Sequence, residues 1–290
     1  MSTILVTGAT GTVGSQVAEA LLERGDHRVR VGVRSPRKAE ALRAAGAEVV
    51  ALDFERPESL AAAFEGVERA FLLIPFVNDF DRLVPAVLAA AERAGVKHIV
   101  KLSSIGADAD SALALARKHA AADGALAESN IDHTILKPTF FQDNLLKYQL
   151  GALRGQGAFY GASRGGKVSY VSSRDIAQVA AEVLGDPSGH EAKDYVLTGP
   201  EAIEDARVAE LASAALGKTI AYVDVPDEAY AASMRQNGSP EWMVESMLGL
   251  EQVKSAGYAE AVSDAVQRVL GRAPEAMPAF LARHADALAE

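Results

Sequence analysis

The chain of 290 residues contains no cysteine. Disulfides, thiolate zinc sites, iron–sulfur clusters and a cysteine nucleophile are therefore excluded. Positive charge is scarce: 29 Lys and Arg against 39 Asp and Glu give a formal net charge of −10. The cations are scattered and form no long run. Nucleic acid and anionic membrane both need clustered positive charge, so neither is expected as a partner. No apolar stretch approaches the roughly 20 residues of a membrane span. The opening residues, MSTILVTGATGTVG, carry no basic region ahead of the apolar one, so no signal peptide is expected. Together these absences make a cytoplasmic protein the expectation. The six histidines show no paired ligand spacing, so no metal site is expected. There is also no Gly-x-Ser-x-Gly elbow of a hydrolase.

What is present is a regular alternation. Short β-rich runs fall at 3–7, 28–33, 48–52, 69–74, 98–102 and 134–136, with Ala- and Leu-rich helical patterns between them. That spacing implies βαβ units and a doubly wound parallel sheet of Rossmann type, class α/β. After Phe140 the rhythm loosens, and all seven Tyr and the single Trp lie from Tyr148 onward. These rings suit either a substrate-facing part or ordinary packing. The expected division is a cofactor domain over 1–151 and a smaller substrate-binding subdomain over 152–290. A strand near 195–198 is expected to return to the sheet.

The strongest signal is Thr7-Gly8-Ala9-Thr10-Gly11-Thr12-Val13-Gly14, after the apolar run Ile4-Leu5-Val6 and before a helix. Gly8 permits a tight turn, Gly11 a close approach of backbone to pyrophosphate, and Gly14 close packing of helix on strand. The N–H groups of Thr10, Thr12 and Val13 and the positive helix end then face the phosphates. The strand before and the helix after are the context that gives the pattern weight.

The second strand ends on Val33-Arg34-Ser35, with Lys38 close by, where a carboxylate would select the ribose hydroxyl of NAD. Cations suit a 2′-phosphate, so NADP(H) is the expected cofactor. Asp53 and Phe54 end the third strand and suit either adenine contact or a turn with a helix cap. Leu73, Ile74 and Pro75 end the fourth strand over the expected crevice, and Phe76 follows as a candidate pocket residue. Ser103 and Ser104 end the fifth. Either hydroxyl suits the carboxamide or a substrate oxygen, or the pair is a plain turn.

Most short-chain dehydrogenases use Tyr-x-x-x-Lys as a proton donor. No tyrosine here has lysine four residues on. The stretches GATGTVG, VRSPRKAEAL, LDFERPESLAAAFEGVERAFLL, AERAGVKHIVKLSSIGA, SNIDHTILKPTFFQDN and SSRDIAQVAAEVL occur in order along the chain. In this series the chain resembles the NmrA-like group of atypical short-chain reductases. That group includes triphenylmethane-dye reductases and small NAD(P)H:quinone reductases. The resemblance places His119 where dye reductases also carry His, as a proton donor or a holder of substrate oxygen. A half-exposed helix histidine is the plain alternative. It sets Lys137 and Pro138 against the nicotinamide, with Lys137 replacing the group's usual Arg. Phe140, Phe141 and Asn144 become candidate pocket residues, with core packing as the alternative for the two rings. Trp242 suits either a lid or the core.

The function these features imply is an NADPH-dependent reductase of a conjugated or aromatic small molecule: a quinone, dye, enone or imine. It would act as a monomer or homodimer, with His119, Ser103 and Lys137 as candidate catalytic residues. The alternative is a non-catalytic NADP(H) sensor of the NmrA kind.

Overall fold

The computed structural model describes residues 1–289. The chain opens with β1 (Thr3–Thr7), α1 (Thr12–Arg24), β2 (Arg28–Val33), α2 (Glu40–Ala44), β3 (Glu48–Ala51) and α3 (Pro57–Phe64). It continues with β4 (Arg69–Leu72), α4 (Val84–Ala94), β5 (His98–Leu102), α5 (Ala114–Ala127) and β6 (Asp132–Pro138). Next come α6 (Asn144–Tyr148), α7 (Leu150–Gln156), β7 (Ala158–Gly161) and β8 (Lys167–Val168). After them come α8 (Ser173–Gly185), β9 (Lys193–Leu197), β10 (Ile203–Glu204) and α9 (Asp205–Leu216). The last elements are β11 (Ala221–Asp224), α10 (Asp227–Gln236), α11 (Glu241–Ser255), α12 (Ala265–Leu270), α13 (Met277–Arg283) and α14 (Ala285–Ala289). No helix among the described residues is long and apolar enough to cross a membrane.

The chain divides into two compact units. The first comprises Met1–Pro138 and Ser173–Val196; the second comprises Thr139–Ser172 and the residues from Leu197 onward. The first crossing between them falls at 138/139. The chain re-enters the first unit at Ser173 because α8 packs along α1. The Gln16 amide donates to the Ser173 hydroxyl at 2.6 Å, and Arg24 pairs with Glu182 at 2.5 Å.

The first unit is built on a sheet of order β3-β2-β1-β4-β5-β6-β9. The pairs from β3 through β6 are parallel. Ile4, Leu5 and Val6 in β1 are fully buried, because a central parallel strand is covered on both faces and needs an unbroken apolar run. One face carries α3, α4 and α5, where Phe64, Phe80, Val84, Val87, Ile99 and Leu126 join one apolar cluster. The strand order reverses between β1 and β4, which makes a crevice at the carboxyl ends of those strands. The second unit gathers Leu153, Phe159, Val208, Ala212, Phe280 and Leu281 into its own core. Two small sheets, antiparallel β8–β10 and parallel β7–β11, complete it.

At the amino end of the sheet His98 is 2% exposed. The Thr134 hydroxyl donates to the His190 carbonyl at 2.6 Å, so the imidazole Nε2–H must donate to Thr134, 3.0 Å away. Burial pushes the His98 pKa down to about 4. The native ring therefore stays neutral in a range where the unfolded ring, near 6.5, binds a proton. Stability is fully present above about pH 6.5 and declines as pH falls toward 4, by up to roughly 1.4 kcal/mol per pH unit. Urea unfolding at pH 7.5 and pH 5 should show this loss, and His98→Gln should shrink it. An equal loss in both proteins would contradict the assignment.

Candidate functional site

The glycine loop joins β1 to α1. Gly8 has φ 64, a left-handed conformation that only glycine adopts without strain, and it turns the chain out of the strand. A Cβ at Gly14 would lie 2.3 Å from the Gly8 carbonyl oxygen, so the helix can start this close to the strand only without a side chain there. Gly11 is the N-cap of α1, where no side chain caps the helix and no acidic residue sits in the first turn. The N–H groups of Thr12, Val13 and Gly14 thus lack intrahelical acceptors at a positive helix end. Uncapped donors beside a backbone that excludes Cβ fit a pyrophosphate.

Thr7 ties this loop to β4. Its hydroxyl oxygen accepts from the Leu73 N–H at 2.8 Å and lies 3.0 and 3.1 Å from the carbonyls of Leu73 and Phe71. Leu73 is thereby held against Gly8, where a Cβ would lie 2.7 Å from the leucine Cδ2. Ile74 and Pro75 continue half-buried, and Phe76 is 44% exposed.

At the end of β2, Arg34, Arg37 and Lys38 are all exposed and join no ion pair among the described residues. Their neighbours differ: Arg30 pairs with Glu48 at 3.0 Å and Arg43 with Glu40 at 3.2 Å. Three uncommitted cations beside the loop fit a further phosphate group. Asp53 and Phe54 are placed differently from each other. The Asp53 carboxylate accepts from the Glu55 N–H at 3.1 Å within its own turn. Phe54 is 7% exposed and sits in the apolar core, so it offers no open wall for adenine.

On the other side of the crevice, β5 and α5 bring Ser103 and His119 into the first unit. His119 lies against Phe80, with ring centroids 4.9 Å apart, and its Nδ1 is buried without a partner. Burial, with a smaller contribution from the Lys101 charge, pushes its pKa down to about 3. At neutral pH it offers a ring N–H and not an imidazolium proton. Ser103 is buried and donates its hydroxyl to Asp123 at 2.7 Å; Ser104 is half-buried. Lys137 forms an ion pair with Asp194 on β9 at 2.5 Å, so its charge is already matched. Pro138 ends β6, its carbonyl accepting from the Ile105 N–H at 2.9 Å.

The other pocket candidates lie in the second unit. Phe140 has the Lys254 ammonium 5.1 Å from its ring centroid. Phe141 forms a β-bridge to Val171, Asn144 opens α6, and Trp242 is half-buried near the start of α11. Lys254 also donates to Glu251 at 2.7 Å and lies 3.6 Å from Asp205. Asp205 in turn accepts from the Tyr170 hydroxyl. Burial and the adjacent acid hold that hydroxyl protonated. Sequence reasoning missed this network, and it missed the buried Lys101–Asp123 pair beside Ser103. The available signal for the second was a lysine directly after the apolar pair Ile99-Val100 in the strand HIVKL.

Residues 8–187 match a family described as NAD(P)H-binding. An NAD(P)H azoreductase of Xenophilus azovorans is 38% identical over 284 residues, covering 98% of each chain. The NADPH complex of a quinone oxidoreductase from Escherichia coli superposes with TM-score 0.86 at 30% identity, covering 97% of this chain and 99% of that one. A Citrobacter triphenylmethane reductase complexed with NADP(H) superposes with the same score, identity and coverage.

Two substitutions test the cradle. Gly14→Ala should weaken NADPH binding by about tenfold or more, since the new Cβ must displace the Gly8 carbonyl. Arg34→Asp should raise the Kd for NADPH by about tenfold or more and leave that for NADH within about twofold. Calorimetric titration reads both; equal effects of Arg34→Asp on the two cofactors would remove Arg34 from phosphate recognition.

Proposed function

Because the chain belongs to the NAD(P)H-binding family, we propose that it is an NADPH-dependent reductase of conjugated, largely apolar acceptors such as quinones, azo compounds and cationic dyes. It is an NAD(P)H-dependent oxidoreductase, as its full-length relatives are. The observation that carries the finer reading is the free cation group at Arg34, Arg37 and Lys38 beside an uncapped helix start. When bound, the nicotinamide would supply a hydride at C4.

The chain's own residues bind and orient. The loop N–H groups take the pyrophosphate, and the β2 cations take the 2′-phosphate. Leu73, Ile74 and Pro75 line the floor at the end of β4. To the reacting end we assign two groups, the Ser104 hydroxyl and the neutral imidazole of His119. A neutral ring N–H can hold an acceptor oxygen or nitrogen but supplies no strong acid. Conjugated acceptors need none. They spread the incoming electron pair over a delocalised system and can take their proton from water afterwards. This agrees with the lack of Tyr-x-x-x-Lys. With no cysteine, no thiol carries the electrons. The chain's task is then orientation in a dry crevice.

NADPH oxidation should be followed with a panel of quinones, azo dyes and triphenylmethane dyes. Turnover is expected with several members, and more with NADPH than with NADH. Tight NADPH binding without turnover on any of them would favour the regulatory alternative. His119→Ala should lower kcat by about tenfold, the worth of one hydrogen bond in a dry site. Unchanged kcat across the panel would take His119 out of the site.

A further inference from the structure

At the carboxyl end of β5 the first unit holds a buried charge pair that the reading above does not use. Lys101 and Ser103 are two residues apart on an extended segment, so their side chains leave the same face of the sheet. His119 and Asp123 are one turn apart on α5. Lys101 is 1% exposed, Ser103 5% and Asp123 7%. The Lys101 ammonium donates to Asp123 Oδ1 at 2.7 Å, and the Ser103 hydroxyl donates to Asp123 Oδ2 at 2.7 Å.

Both carboxylate oxygens are therefore occupied by donors. A carboxylate oxygen can only accept, so the hydrogen of the Ser103–Asp123 bond belongs to Ser103. A hydroxyl has a single hydrogen, and here it is directed at Asp123. What remains free on Ser103 Oγ is lone-pair density. Buried ion pairs contribute little net stability compared with apolar residues of the same volume. Stability alone thus gives a weak reason for placing one at this strand end.

The topology says what lies there. The phosphate cradle is at β1 and the cation group at the end of β2. The adenosine half of a dinucleotide then lies toward β2, and the nicotinamide half toward β4 and β5. We propose that Lys101 and Asp123 are positioning residues that fix the polarity of Ser103, so that Ser103 Oγ accepts the amide N–H of the nicotinamide carboxamide and does not donate to a carbonyl. This rests on the reading of the chain as an NADPH-binding reductase. It adds two residues and a direction: the carboxamide nitrogen, not its oxygen, faces β5.

The test compares NADP⁺ with its 3-acetylpyridine analogue, in which a methyl group replaces the carboxamide NH₂. Calorimetry on the whole protein reads Kd for both, and for 2′-phospho-ADP-ribose, which has no nicotinamide. The wild type should bind NADP⁺ about tenfold more tightly than the analogue. Ser103→Ala should bring that ratio to about one and leave binding of 2′-phospho-ADP-ribose unchanged. In Asp123→Asn the new amide can donate to Ser103 and release its hydroxyl hydrogen toward a ligand carbonyl. Both ligands carry a carbonyl, so the ratio should collapse there too. Should Asp123→Asn leave Lys101 unpaired and the protein unfolded, Lys101→Met with Asp123→Leu removes both charges and should give the same collapse.

A wild type that binds the two ligands equally would overturn the proposal, as would a ratio that persists in Ser103→Ala. So would an ion pair whose removal lowers the melting temperature but leaves the ratio intact. The measurement needs no turnover. A protein that keeps the ratio but reduces no acceptor contradicts the reductase reading alone. One that reduces acceptors without the ratio contradicts the polarity assignment alone.

Discussion

The site depends on one close approach. The backbone of Gly14 lies so near the Gly8 carbonyl that a Cβ there would stand 2.3 Å from its oxygen. That approach starts α1 immediately after β1 and aims its uncapped first turn at the crevice. Thr7 then fixes the end of β4 against the same loop through Leu73. The crevice is thus a consequence of sheet order plus one turn in which bulk is forbidden. No long side chain is needed to build it, and none occupies the helix start.

Electrostatics is local in this molecule. A net charge of −10 would by itself disfavour a polyanionic ligand. Over a Debye length of about 8 Å in physiological salt, near neighbours dominate. Near the loop those neighbours are Arg34, Arg37 and Lys38, which join no ion pair among the described residues. Other cations of the first unit are matched, among them Arg30 to Glu48, Lys137 to Asp194 and Lys101 to Asp123.

The sheet and the loop were legible in the sequence because they rest on short-range rules. An apolar pentapeptide, glycines at fixed spacing and a helix after them need no knowledge of distant residues. Cations at the end of β2 were legible for the same reason. What was not legible depends on partners remote in sequence. Lys137 meets Asp194 only because β9 joins the sheet beside β6. Phe54 is buried in one cluster with Leu60 and Phe64 of α3 and Leu72 of β4. Ser173–Val196 rejoins the first unit because α8 returns to α1. The Lys101–Asp123 pair forms only when α5 lies against β5. Asp123 sits in an Ala-rich helix whose pattern gives no hint of a buried acid. His119 was found as a candidate, but its neutrality follows from burial against Phe80, which spacing does not encode.

The central claim is that this chain delivers hydride directly from a bound nicotinamide to a conjugated acceptor. The most direct measurement uses NADPH deuterated at both C4 positions and a triphenylmethane dye as acceptor. Mass spectrometry of the colourless product should find one deuterium on the central carbon. A reduced dye carrying only hydrogen from solvent, or no reduction of any conjugated acceptor by a protein that binds NADPH tightly, would contradict the account.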